Sequence, residues 1–326
     1  MPHFAKFKSV VEALSRVVDS NPHRADPAVI NSPLLSQAEL AEILRITQVL
    51  PSAWPHTREV QHPQSGDFRS STPGCGLDFE EARPYQPGDD VRRMDWRTTA
   101  RTGKPFLKTF REEHQPQLHL VLDRGASMRF GTRTQLKVTQ AARIAVMLAL
   151  VGARQHLAIG ATLWQPERVT LQSRGGEAGV LQLVHAAIAP CPPLAAVVSH
   201  APPLAQLLYE LDAQLPRGTR VVFIGDLRQF SAADFPGLAR LAARHPVSAY
   251  QVLDPAECAL PDVGLRCFVD LSSGESGRLD AHNTAVRAAF NTEATALHQT
   301  QRALLARAGI THHVCMTNED LLNKSA

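Results

Sequence analysis

From Gln117 onward, apolar stretches of strand length alternate with stretches of helix length, and this alternation narrows the possible folds more than any other feature. QLHLVL (117–122), HLAIGATLW (156–164), RVVFIGDL (220–227), PVSAYQVL (246–253), LRCFVDL (265–271) and ITHHVCMT (310–317) read as strands. Between them, TQLKVTQAARIAVMLALVGAR (134–154), GVLQLVHAAIA (179–189), PLAQLLYELDAQL (203–215), FPGLARLAARH (235–245) and the long segment 281–309 read as helices. A near-continuous apolar strand such as RVVFIG suits burial on both faces. The expected fold is therefore a three-layer α/β domain: a mainly parallel sheet covered by helices on both sides.

Upstream the pattern changes. The segment SPLLSQAELAEILRITQVLP carries a capping box at Ser36 and Glu39, an apolar stripe at Leu40, Ile43, Leu44 and Val49, and a stop at Pro51. Residues 53–116 are rich in Pro, Gly, Arg and Asp. We expect three regions: an N-terminal helical segment over 1–52, a β-rich charged segment over 53–116, and the α/β domain over 117–326. The longest uncharged apolar run, Ile144 to Ala153, falls short of the roughly 20 residues a bilayer requires. With no leader-like N-terminus, the expected location is the cytoplasm. A net charge of +3 without a run of one sign gives no basis for nucleic-acid binding. Five scattered cysteines, Cys75, Cys191, Cys258, Cys267 and Cys315, form no C-x-x-C pair and suit reduced thiols.

Ligands of open parallel sheets bind at the C-terminal ends of strands. LVLD places Asp123 there, and VVFIGD places Asp226 there. The following DRGAS is similar to the D-x-S-x-S loop of the metal-ion-dependent adhesion site of von Willebrand factor A domains. Asp123 and Ser127 match it, while the middle serine is Gly125. Where that loop's threonine partner is expected, the chain has Ala201 and Pro202, with Ser199 and His200 nearby. Asp123, Ser127 and Asp226 thus make a depleted oxygen set, expected to bind Mg²⁺ weakly or not at all. Arg124 is a cation placed to pair with a carboxylate in the metal's stead. A strand-to-helix turn in which Asp123 and Ser127 cap backbone N–H groups is the plainer alternative. We expect the loop to face solvent as an acidic contact surface.

The segment from Asp78 to Glu113 holds eight Arg and Lys and eight Asp and Glu, interleaved with Tyr85, Trp96 and Phe106, with a turn at Pro87-Gly88. Balanced charge suits Arg–carboxylate forks and aromatic packing better than a nucleic-acid stripe. Arg83, Tyr85, Asp89, Asp90, Arg92, Asp95, Trp96 and Arg101 are candidates either for a network locking this segment or for partner contact.

The run RPYQPGDDVRRMDWRTTARTG, followed closely by LVLDRGASMRFG, resembles the domain of unknown function 58 family. VVFIGDL, where the family tends to have a Ser-Asp pair, VLDPAECALP (Asp254, Pro255, Glu257, Leu260, Pro261) and VDLSSGE extend the likeness over about residues 66–280. The resemblance implies a von Willebrand factor A-like fold. It also implies a non-catalytic adaptor that partners a MoxR-type AAA+ ATPase in assembling or activating a client protein. No phosphate loop, H-E-x-x-H or G-x-S-x-G is present, so we expect no enzymatic activity and no resident cofactor. The alternative is a metal-assisted hydrolase using Asp123 and Asp226.

Overall fold

The computed structural model describes residues 33–49, 78–86, 94–111, 115–132, 134–165, 167–191, 203–269 and 276–319. The chain divides into two compact units, residues 58–115 and the remainder.

The larger unit is built on six strands: β3 (Gln117–Asp123), β4 (Ala158–Trp164), β5 (Val169–Arg174), β6 (Arg220–Gly225), β7 (Val247–Leu253) and β10 (Thr311–Met316). Their order is β10-β7-β6-β3-β4-β5. All neighbours are parallel except β4 and β5, which form an antiparallel edge pair. Counted from β3 as the first, the order reads 3-2-1-4-5-6, the doubly wound order. The chain runs outward from β3 to β4 and β5, then returns to β6 on the other side. The C-terminal ends of β3 and β6 therefore flank the switch point.

Period-two alternation assigns side chains to the two faces. Leu120 and Leu122 of β3, and Val222 and Ile224 of β6, point into one core. Val121, Val221 and Phe223 point into the other. On the first face lie α1 (Gln37–Val49), α3 (Lys137–Arg154) and α4 (Gly176–Ile188). On the second lie α5 (Leu204–Gln214), α6 (Phe235–Arg244) and α8 (Thr284–Arg307). This is a three-layer, doubly wound α/β arrangement with a mainly parallel sheet, as expected. Helix α3 is buried almost all round because the sheet covers one side while α1 and α4 cover the other. The Ser36–Glu39 capping box opens α1, and Leu40, Ile43 and Leu44 join the core. Strand β5 went unread in the sequence. It is a short edge strand whose residues are largely exposed, so it lacks a buried apolar run.

The stretch read as LRCFVDL does not join this sheet. As β8 (Leu265–Val269) it pairs antiparallel with β9 (Ser276–Asp280) in a separate hairpin. A short helix α7 (Pro255–Cys258) precedes it, opened by an Asp254–Glu257 capping box. The 1–32 part of the N-terminal helical reading lies outside the described residues, as do residues 272–275 of the SSGESG turn.

In the smaller unit, β1 (Asp78–Pro84) and β2 (Phe106–Arg111) form an antiparallel ladder with an irregularity at Phe79/Glu81. Between them sits the short helix α2 (Trp96–Thr102), ended by Gly103 in the left-handed conformation. Asp95 starts this helix. Its Oδ1 accepts from the N–H groups of Arg97 (3.1 Å) and Thr98 (3.2 Å), and its Oδ2 from the Thr98 hydroxyl (2.7 Å). Asp95 is therefore an N-cap.

Candidate functional site

The switch point brings Asp123, Ser127 and Asp226 together. Asp123 ends β3, and Asp226 follows Gly225 at the end of β6. Ser127 lies on the 3₁₀ turn Ala126–Arg129 and hydrogen-bonds the Asp226 carboxylate. The expectation that this loop faces solvent is overturned. Asp123 is 5 % exposed and Asp226 is 1 % exposed, because the loop folds back over the strand ends. Beside Asp123 is a cavity of about 10 Å³, lined by residues including Val121, Trp164, Phe223 and Phe230. That is about the room one water molecule needs.

The two carboxylates differ in state because their surroundings differ. Burial, with the neighbouring Asp226 charge adding to it, pushes the Asp123 carboxyl up to about 7. The Gly125 N–H, which donates to Asp123 Oδ1 at 2.8 Å, opposes the shift only partly. Burial would raise Asp226 too. There the Lys137 charge, the Arg228 N–H and the Ser127 hydroxyl outweigh it and hold the carboxyl below its ordinary value.

Arg124 does not supply the cation. Its guanidinium donates to the carbonyls of Ala186 (3.2 Å) and Pro190 (3.1 Å) and to that of Ala189, closing the C-terminal end of α4. The cation is Lys137, a residue sequence reasoning missed. Its side chain is fully buried, and its Nζ donates to Asp226 Oδ2 (3.0 Å) and Glu257 Oε1 (2.8 Å). Arg228, half exposed, closes the group from outside with its Nη2 2.8 Å from Glu257 Oε1. Glu257 was legible only as a motif residue. A signal for Lys137 did exist: it occupies the first position of α3, where the helix dipole disfavours a cation, and no acidic residue accompanies it in that turn.

Asp226 is followed by Leu227, a buried non-glycine residue with φ of 58°. Two buried amides hold this unfavourable turn. Gln251 Nε2 donates to the Asp226 carbonyl (3.2 Å), and Gln301 Nε2 to the Leu227 carbonyl (2.8 Å). Asp254 ties the outer loops together, accepting from the Thr132 N–H (2.9 Å) and the Thr317 hydroxyl (2.8 Å).

Two glycines explain the departures from the adhesion-site pattern. A Cβ on Gly225 would stand 2.6 Å from Asp123 Cβ, closer than such atoms approach. The serine the family tends to carry there does not fit while Asp123 keeps its place. A Cβ on Gly125 would stand 3.0 Å from Asp123 Oδ1. A Mg²⁺ ion takes near-octahedral oxygen ligands. Here burial favours the protonated form of Asp123, Ser127 is turned to Asp226, and an ammonium sits on Asp226. This donor set does not fit a divalent cation. The 192–202 segment, with Ser199, His200, Ala201 and Pro202, lies outside the described residues.

In the smaller unit, Asp95 is placed by its capping role. Trp96, a candidate for either the locking network or partner contact, is 68 % exposed. Tyr85 is half-buried with its N–H on the Pro105 carbonyl (2.9 Å), and Arg101 is exposed. Arg83 lies on β1. Its side chain, and the whole of Asp89, Asp90, Arg92 and the Pro87-Gly88 turn, lie outside the described residues. Among the described residues, no group of three or more His, Cys, Asp or Glu side chains is arranged to hold a metal ion. Cys191, Cys258 and Cys315 are free thiols, and no described helix is long and apolar enough to cross a membrane.

A family model described as "Protein of unknown function DUF58" matches residues 81–301. Uncharacterized proteins of Mycobacterium tuberculosis and Mycobacterium bovis are 31 % identical over 261 residues, covering 76 % of this chain and 77 % of each relative. Among solved structures, the conserved hypothetical protein BatB of Bacteroides thetaiotaomicron aligns with a TM-score of 0.37 and 12 % identity. That alignment covers 60 % of this chain and 98 % of that one.

Proposed function

Because the chain belongs to the DUF58 family, we propose that it is a non-catalytic adaptor whose larger unit presents a fixed surface to partner proteins. The observation that carries this reading is the closure of the switch point. In an enzyme of this fold class the strand ends open into a ligand crevice. Here Asp226 and Glu257 are engaged by Lys137 and Arg228, and the cavity beside Asp123 has room for about one water. A hydrolase built on Asp123 and Asp226 needs those carboxylates free to hold a metal or a water. In the smaller unit, the exposed Trp96 supports a partner-binding role for the chain, since a solvent-facing tryptophan suits a protein contact.

The partner is taken from the family resemblance: a MoxR-type AAA+ ATPase, which would supply the ATP chemistry, with a client protein as the third component. The test is size-exclusion chromatography of the purified chain with such an ATPase, with and without ATP. The expected outcome is a complex whose population changes with nucleotide. No complex in either state overturns the adaptor reading.

A further inference from the structure

We propose that the outward face of α2 and the turn after it, built from Trp96, Arg97, Ala100, Arg101 and Lys104, docks an acidic segment of a partner protein that also carries an apolar residue. The inference rests on the partner-binding reading. It names where on the smaller unit a partner is held, and by what chemistry.

Hydrogen bonds hold one side of α2 inward. Asp95 caps the helix, and the Thr98 hydroxyl donates to its carboxylate at 2.7 Å. Thr99 Oγ1 accepts the Phe106 N–H at 3.0 Å, and the Asp95 N–H donates to the Phe106 carbonyl at 2.7 Å. These bonds fix α2 to β2. Residues four apart share a side of a helix, so Trp96 stands beside Ala100 and Arg97 beside Arg101. Lys104 follows the Gly103 cap. All five are exposed. Two features identify the occupant. First, among the described residues no carboxylate pairs with Arg97, Arg101 or Lys104, whereas Arg168, Arg228 and Arg244 of the larger unit each meet one. The adjoining Asp95 is buried and spent on the helix cap. Unpaired cations gathered on one face select a negatively charged partner. Second, Trp96 and Ala100 give an apolar strip rimmed by those cations. An apolar centre with a charged rim is the pattern of a protein interface, and Trp and Arg are the residues that most often carry its energy. One indole and one methyl are too little apolar surface to hold a membrane. A nucleic-acid strand takes a row of stacking rings, and this face offers one. Because α2 is fixed before binding, little ordering cost falls on the contact.

The test is fluorescence anisotropy of a labelled glutamate-rich peptide with a central pair of leucines, titrated with the whole purified chain. A counterpart peptide with serine for glutamate, phosphatidylglycerol–phosphatidylcholine vesicles and oligo-dT are run beside it. Wild type is expected to bind the acidic peptide, more weakly as NaCl screens the charges, and to ignore the serine peptide. Trp96→Ala and the triple variant Arg97→Gln/Arg101→Gln/Lys104→Gln should each weaken binding at least tenfold. Tyr209→Ala, which removes an exposed ring from the larger unit, should change nothing. The substituted side chains are exposed, so thermal melts should match wild type. If Trp96→Ala melts lower, the triple variant decides. No binding of the acidic peptide, or equal binding by wild type and the triple variant, overturns the proposal. Vesicles or oligo-dT bound through these residues in place of the peptide also overturn it. The adaptor reading is tested separately by the ATPase chromatography. An ATPase complex without peptide binding removes this docking face and leaves the adaptor reading standing. Peptide binding through these residues without an ATPase complex does the reverse.

Discussion

Replacing Asp123 by asparagine should stabilise the protein above neutral pH while changing little near pH 4. The folded-state carboxyl titrates at about 7, against an ordinary value of 3.8. Between those values the folded chain holds a proton that the unfolded chain has released. Stability from this group is therefore fully present below about pH 4 and lost as pH rises through 7. A shift of about three units corresponds to about 4 kcal/mol at most. Asparagine mimics the protonated acid: its Oδ1 still accepts the Gly125 N–H, held at 2.8 Å in wild type, and its amide carries no charge to bury. Urea unfolding at pH 5, 6, 7 and 8 is the assay. With a slope of about 3 kcal/mol per molar, the midpoints should separate by about 1 M at pH 8 and converge toward pH 4. A separation that does not change with pH, or a variant less stable than wild type at pH 8, would refute the assignment of a protonated Asp123.

Gly225→Ser should lower stability by about 1–3 kcal/mol through overpacking against Asp123. Adding Asp123→Gly should restore much of the loss in a thermal melt. Asp95→Ala removes the N-cap of α2 and should cost about 1 kcal/mol, read as faster amide exchange over Arg97–Thr99. Arg124→Met leaves the Ala186, Ala189 and Pro190 carbonyls without their donor. It should cost about 1–3 kcal/mol, visible as a lower urea midpoint with no change in partner binding.

Much of the larger unit was determined by the sequence alone. Strand and helix periods are local properties, so five of the six sheet strands, the mainly parallel sheet and the location of Asp123 and Asp226 at strand ends could be read from residue spacing. The exposed edge strand β5 and the separation of β8 from the sheet could not. The capping box at Ser36, a local hydrogen-bond pattern, belongs to the same class. So does the family, whose long charged motif is written in consecutive residues.

Only the tertiary structure decided what the site is. Lys137, Asp226 and Glu257 are far apart in the chain and meet because α3, β6 and α7 converge at one end of the sheet. No spacing rule announces that meeting. Arg124, adjacent to Asp123 in sequence, had the stronger local claim to be its counter-ion. It turns instead to the end of α4, because successive residues leaving a strand point to opposite faces of the sheet. Exposure is decided in the same way. Whether a strand-end carboxylate faces water depends on the loops folded over it, and here those loops bury Asp226 against a lysine whose own helix begins nearly ninety residues earlier.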